Sequence, residues 1–321
     1  MLENNQIKAT IIQDSINSYT GTRITTYELE YPRFIHSEVM THKMLAKNAA
    51  SSRAIPVSKT IEQVLRDPAH PVFWGKNEPG MQSKFEVDDL TKQYMQKEWC
   101  VAANNASLHA KIMSNLGGHK QIVNRILEPF VMMKIVITGT EWNNFFWLRN
   151  HPDAQPEFRV LAAKMQEARE QSEPFILLDG EWHVPYINRE RYTLGSGEGE
   201  IIYYIGADDA DGIQDLTTEE ALMLSSSLCA QTSYRKADDT MEKALSIYKR
   251  LVESEPVHAS PFEHQGMCKN ISSMNLIASL LRFKKPTKGV THIDFDHNWW
   301  SGNLKHFIQY RQLIPNNVRA G

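Results

Sequence analysis

Residues 36–53, HSEVMTHKMLAKNAASSR, place His42, Lys43, Asn48, Ser51, Ser52 and Arg53 within twelve positions, and little of this is core chemistry. Apolar Ile35, Val39, Met40 and Met44 recur at steps near three and four, so the pattern predicts an amphipathic helix over 33–47, entered through Pro32. On that helix Glu38 and His42 stand one turn apart, where a carboxylate can hold an imidazole or raise its pKa. Ala49-Ala50-Ser51-Ser52-Arg53 then leaves the helix as a small-residue turn. Its amides, hydroxyls and guanidinium can together cradle an anion. Pro56 closes the segment.

Working outward, strands are expected over 7–13 and 22–29, the second feeding the 33–47 helix. Helices follow over 57–66 and about 86–115, the latter broken at Gly117-Gly118. Residues 119–149 read as one or two further helices, with Val131 to Ile137 as core, and 155–172 as another. Short strands are expected between 176 and 215. Gly195-Ser-Gly197-Glu-Gly199 lacks the lysine of a phosphate loop and reads as a hairpin turn. Asp208 to Asp215 has too few carboxylates in register for a calcium loop and reads as the cap of a helix beginning near Thr217. His292, Asp294 and Asp296 would share one face of an extended strand; solvated polar alternation is the commoner reading of such a pattern than a divalent-metal site. Gly302 to Arg311 reads as a helix.

With 321 residues, 41% of them hydrophobic, and no apolar run long enough to span a bilayer, the composition is that of a soluble globular chain able to bury a sizeable core. The N-terminus lacks a signal-peptide pattern. A net charge of -3 argues against a general nucleic-acid binder and leaves room for a local basic pocket. Cys100, Cys229 and Cys268 form no C-x-x-C pair, which favours a reducing compartment. A cytoplasmic location is expected.

Taken singly, His42 fits a hydrogen-bonded structural histidine and Arg149 an ion-paired surface arginine. Co-occurrence changes this. The spacing of His42-Lys43, Asn48, Ser51 and Arg53 resembles the R-H-R signature of the flavin-dependent thymidylate synthases, with its later serine and G-R. Thr41 and Lys43 replace the two arginines, and Ala49 replaces a glutamate. Residues 144–159, NFFWLRNHPDAQPEFR, are similar to the family's N-x-x-x-L-R and A-Q-x-E-I-R segments, aligning Asn144, Leu148, Arg149, Gln155 and Arg159. His258-Ala-Ser-Pro-Phe-Glu-His264 resembles its H-x-S/T-P-F-E-H box and is preceded by Ala230-Gln-Thr-Ser-Tyr234, as in the family. In ordinary members this box comes before the R-H-R helix; here it lies far behind it. The order predicts a circular permutation, with residues 229–264 moved from the N-terminal to the C-terminal side, as is tolerated where termini lie at a surface. Glu263 is then expected near the strand of 22–29 and near His42 and Arg149.

The resemblance implies an α+β fold: a flavin-dependent thymidylate synthase-like central antiparallel sheet with long flanking helices, circularly permuted. It implies one domain over 1–321, with 176–215 as an insertion or flap and 265–321 as a C-terminal extension, assembled as a homotetramer with shared active sites. The implied reaction moves the methylene of methylenetetrahydrofolate to C5 of dUMP, giving dTMP, with FAD reduced by NADPH as hydride source. Arg149 is the implied catalytic residue, stabilising negative charge on the pyrimidine. Glu38, Ser51, Ser52, Arg53 and Arg125, with Arg149, are implied to bind the nucleotide. His42, Lys43, Asn48, Asn144, His258, Ser260 and Glu263 are implied to line the flavin, and no metal is implied. Glu38, where the family often has glutamine, only accepts hydrogen bonds when ionised, so dCMP or UMP stay open as substrates. A hydroxymethyl product and a non-catalytic nucleotide-binding homologue stay open as well. The rearranged order suggests a viral or otherwise divergent member, acting in a host cytoplasm if viral.

Overall fold

The computed structural model describes residues 6–192, 199–206, 213–232, 240–271 and 287–318. Strands β1 (Lys8–Asn17) and β2 (Arg23–Pro32) pair antiparallel. Their connecting turn is fixed by Asn17, whose Oδ1 accepts from the amides of Tyr19 and Thr20, while Gly21 takes the positive φ of 67° that the reversal needs. A single 3-10 turn, Arg33–Ile35, then leads into helix α1 (His36–Val39), followed by strand β3 (Ala46–Ala49) and helices α2 (Val57–Arg66), α3 (Asp89–Asn115) and α4 (Lys120–Val123). Strand β4 (Met132–Gly139) and helices α5 (Asn143–Arg149) and α6 (Pro156–Gln171) complete the larger layer with strand β5 (Phe175–Leu177). The sheet order is β3-β4-β2-β1-β5, antiparallel except for the β1–β5 pair.

The remaining elements are strands β6 (Trp182–His183), β7 (Asn188–Tyr192), β8 (Glu200–Ile205) and β9 (Gln214–Leu216), then helices α7 (Thr218–Ala230) and α8 (Met241–Val252). Strands β10 (Gly266–Cys268), β11 (His292–Ile293), β12 (Trp299–Ser301), β13 (Leu304–Lys305) and β14 (Phe307–Gln309) close the chain. They form three small sheets: β14-β10-β6, β11-β12-β13 and β7-β8-β9. Thr217 caps α7 in a reciprocal box with Glu220, which satisfies two amides that the helix start leaves without partners.

One face of the large sheet is covered by α6. Phe158, Leu161, Ala162 and Met165 are fully buried against Tyr27, Leu29 and Ile135, and the Tyr27 hydroxyl donates to the Met165 carbonyl at 3.0 Å. Across the sheet, β6 and β10 meet it through a buried polar chain. Ser15 Oγ lies 2.6 Å from His183 Nδ1, His183 Nε2 lies 2.8 Å from Thr26 Oγ1, Thr26 reaches Thr138 at 2.7 Å, and Thr138 reaches His264 Nδ1 at 2.9 Å. Burial pushes both imidazoles down, His264 to about 3. No helix of the described residues is long and apolar enough to cross a membrane.

The mixed α+β architecture, its central sheet and the helices of 57–66, 86–115 and 155–172 match expectation. Three segments differ. The predicted helix over 33–47 is only the short turns of Arg33–Ile35 and His36–Val39, after which the chain turns and enters β3. Met40 and Met44, whose spacing suggested a buried stripe, are each 44% exposed, and Ala46–Ala49 instead satisfies its backbone on β4. Val131 to Ile137 is core as expected, yet not helical: it enters β4, a strand flanked on both sides and rich in Ile and Val. Gly302 to Arg311 is two short strands and a 3-10 turn, because His306 takes a positive φ of 57° and Phe307–Gln309 pairs with β10. The centre of Gly195 to Gly199 and most of Asp208 to Asp215 lie outside the described residues, though their flanks pair, Tyr192 opposite Glu200 and Ile205 opposite Gln214. The segment 176–215 contributes β6 to the β10 sheet and the β7-β8-β9 meander. Asp294 accepts from Trp300 Nε1 and Asn298, His292 stacks on Trp300, and no group able to hold a metal occurs among the described residues.

Candidate active site

Helix α5 delivers Arg149 at its last turn to the loop that follows α1. Arg149 Nε donates to His42 Nε2 at 2.9 Å, its NH1 to Glu38 Oε2 at 3.4 Å and its NH2 to Thr41 Oγ1 at 3.3 Å. The guanidinium lies 4.7 Å from the Phe158 ring centroid, a cation-π seat that also limits its rotation. His42 is held edge-on by Phe145 and Phe158, at 4.9 and 5.9 Å. An arginine cannot accept a hydrogen bond, so the Nε2 facing it must be unprotonated. Its environment agrees: burial, the Arg149 charge and Lys47 push His42 down to about 4. The expected direct grip of Glu38 on His42, raising its pKa, is therefore corrected. With α1 ending at Val39, Arg149 stands between the two and reverses the sign.

Glu38 and Arg149 form part of the wall of a cleft of about 620 Å³, with Phe34, Phe73, Trp99 and Gln155 among the other lining residues. Its floor is braced by Glu157, a buried carboxylate that accepts from the Val72 amide at 2.8 Å and from Gln155 Nε2 at 2.9 Å. Burial raises the Glu157 pKa. Only glutamine, with its own donor, can present Nε2 to that carboxylate and keep its Oε1 as an acceptor. That oxygen has no partner among the described residues.

A second group of expected residues assembles elsewhere on the chain. Ser52 Oγ donates to Glu128 at 3.1 Å, and the same carboxylate oxygen receives Arg33 at 3.1 Å and Arg125 at 2.8 Å. Asn124 ties this turn down by donating to the Ser52 and Ile55 carbonyls. Ser51 Oγ accepts from the Arg53 amide, and the exposed Arg53 guanidinium makes no hydrogen bond to a described residue. None of Ser51, Ser52, Arg53 and Arg125 lines the cleft beside Arg149.

The third group lies along the edge strand β3. The 3-10 turn Ser260–Glu263 packs beside β3, and Glu263 is near enough to Lys47 to raise its pKa against the larger lowering by burial. Glu263 itself pairs with Arg311. Lys47 Nζ donates to the His42 carbonyl, and Asn48 Nδ2 donates to the Cys229 carbonyl at 3.1 Å. His264, one residue on, joins the chain through Thr138 to Thr26 of β2. The contact with the strand of 22–29 is thus made by His264, whereas Glu263, for which that nearness was expected, pairs with Arg311 and makes no hydrogen bond to His42 or Arg149. Lys43, Asn144, His258 and Ser260 are exposed, and their side chains make no hydrogen bond to a described residue.

Those uncommitted groups allow a test of fit to a flavin dinucleotide. A cation, an amide, an imidazole and a hydroxyl, all exposed, are the donors that phosphates and ribose hydroxyls require, and none would have to abandon an internal partner to bind them. The donor set fits the group. Sequence reasoning missed Lys47, Thr138, Phe158 and Glu157, all of which act through contacts across the fold. Only Lys47 carried a local signal, by standing next to Asn48.

Residues 4–175 match the family model described as thymidylate synthase complementing protein. No curated protein matches the chain. Among solved structures, it is similar to a UMP/dUMP methylase, PolB, from Streptomyces cacaoi bound with 5-Br UMP, at 14% identity over 51% of this chain and 89% of that one, with a TM-score of 0.43. It is also similar to thymidylate synthase X from Helicobacter pylori with FAD and dUMP, at 14% identity over 46% of this chain and 67% of that one, with a TM-score of 0.32. The family match spans more than half of the chain and contains both the His42 turn and Arg149. The chain therefore belongs to the thymidylate synthase complementing protein family and is a flavin-dependent, thymidylate synthase-like methyltransferase.

Proposed function

We propose that this chain methylates C5 of dUMP, giving dTMP, with methylenetetrahydrofolate as one-carbon donor and NADPH as reductant. The observation that carries the proposal is Arg149, held by His42, Glu38 and Thr41 on the wall of a cleft whose volume suits a nucleotide. Bound FAD would supply the hydride chemistry that no side chain can. Lys43, Asn144, His258 and Ser260 are the residues free to hold it, with His42, Asn48 and Glu263 on the adjoining edge of the sheet.

The chain's own groups position and polarise. Arg149 keeps N–H groups beyond the three already engaged, and aims a fixed positive charge at a cleft walled by Phe34, Phe73 and Trp99. In such a partly dry setting, a preorganised cation stabilises negative charge developing on a pyrimidine oxygen more than water does. His42 stays neutral at physiological pH, and its unprotonated Nε2 acts as an acceptor that orients the guanidinium while the ring proton sits on Nδ1. Ser51, Ser52, Arg53 and Arg125 would hold the phosphate once Arg125 loosens from Glu128.

Among the described residues these two groups share no hydrogen bond and no cleft wall, which supports a site completed by a second copy, as in a homotetramer. Packing of Ser260–Glu263 on β3, and of Cys229 on Asn48, supports reading residues 229–264 as a permuted N-terminal part in a single domain. A second reading changes the nucleotide to UMP or dCMP and is favoured by Glu38, an acceptor beside the Arg149 donor. The test is anaerobic: protein mixed with FAD should retain the yellow chromophore through gel filtration, and NADPH should bleach it. Protein that emerges colourless would overturn the flavin chemistry, leaving a nucleotide-binding homologue.

A further inference from the structure

Helix α3 is apolar on two opposite faces. Trp99, Ala103, Ala106, Ala110 and Met113 pack into the cluster formed with Val64, Val123 and Leu127. On the other side Leu90, Tyr94, Val101, Leu108 and Ile112 are 61%, 62%, 42%, 54% and 46% exposed. At 3.6 residues per turn these five fall within about 40° of one another and run along roughly 33 Å of the helix. One stripe answers the core; the other has no element of the described residues upon it.

The spacing says what would cover it. Leu90 stands as far before Val101 as Ile112 stands after it, and Tyr94 as far before as Leu108 after. A helix whose apolar positions mirror about one residue is its own partner when turned end for end: a two-fold axis through Val101 sets Leu90 against Ile112 and Tyr94 against Leu108 of a second copy. This is the self-complementarity that an isologous contact requires. The flanks agree. In that register Lys97 comes opposite Asn105 and Glu98 opposite Asn104, so no charge meets its like.

We propose that α3 is the two-fold interface of this protein in solution, paired antiparallel with α3 of a second copy about Val101. The proposal specifies a contact for the assembly suggested above, and its test needs no catalysis. All variants are made in the full-length chain carrying Cys100→Ser, which removes the thiol beside the axis. Val101→Cys should be joined to its own copy in high yield by a short bismaleimide. Leu108→Cys should not, because the two copies of that residue lie roughly 21 Å apart along the helix. Val101→Lys, which meets itself at the axis, should halve the mass measured by sedimentation with an unchanged circular dichroism spectrum. A monomeric parent protein, equal cross-linking of both cysteine variants, or an oligomer in which Val101→Cys does not cross-link would each overturn the proposal.

Discussion

Arg149 Nε–H donates to His42 Nε2 over 2.9 Å, tying the end of α5 to a turn 107 residues earlier. The bond fixes both groups at once: the guanidinium has an orientation as well as a charge, and the imidazole has a protonation state. Lysine at the same place would keep the charge and lose the planar fork. Arg149→Lys should therefore lower kcat with dUMP by about 100-fold and Arg149→Ala by about 1000-fold, the range for losing a preorganised stabiliser of developing charge. Steady-state kinetics checks this. Melting should shift little, since the Glu38 left behind keeps 39% of its side-chain surface in water.

The histidines set an acid dependence of stability. His42 and His264 have folded pKa values of about 4 and about 3, and His183 is lowered as well. For a depressed histidine the sign is fixed: the unfolded chain takes up the proton near pH 6.5 while the folded chain does not. Stability should be full above pH 6.5 and decline as pH falls toward 3. His42→Gln, followed by urea unfolding at several pH values, should reduce the slope between pH 6 and 4.5 by up to about 1.4 kcal/mol per pH unit, the effect of one proton. An unchanged slope would mean that His42 titrates alike in both states.

Thr138 is the junction of the buried polar chain, reaching Thr26 on one side and His264 on the other. Thr138→Val keeps the shape of the side chain and deprives His264 of its hydrogen bond, while the His264 Nε2 already has no partner among the described residues. The expected loss is about 2 kcal/mol, the cost of a buried polar group left unsatisfied. Chemical denaturation reads it as a lower midpoint at unchanged slope.

Lys43 and His258 are exposed and make no hydrogen bond to a described residue. If they hold the flavin, Lys43→Ala and His258→Ala should each weaken FAD binding about tenfold, as expected for one hydrogen bond to a charged group. The melting temperature without FAD should stay within about one degree, as for surface substitutions generally. Absorbance or fluorescence titration separates the two quantities.

The site was legible where chemistry is local in sequence. Arg149, Gln155 and the 258–264 box announced themselves as polar residues in fixed patterns, and the structure places Arg149 on His42 and Glu38. What could not be read was the partner of each backbone. Met40 and Met44 have helical spacing, but β3 is decided by pairing with β4, a strand some ninety residues away. Val131 to Ile137 is a short continuous apolar run, which periodicity alone cannot assign to helix or strand. Glu157 and Phe158 were invisible for the same reason: burial and approach across the fold make them part of the site.

The most direct measurement is the mass of the nucleotide formed when the protein, FAD and NADPH are mixed anaerobically with dUMP and methylenetetrahydrofolate. The account predicts a product heavier than dUMP by one methyl group in place of a hydrogen, formed by the parent protein and not measurably by Arg149→Ala. Recovery of dUMP unchanged from a flavin-loaded protein, or equal turnover by Arg149→Ala, would contradict it.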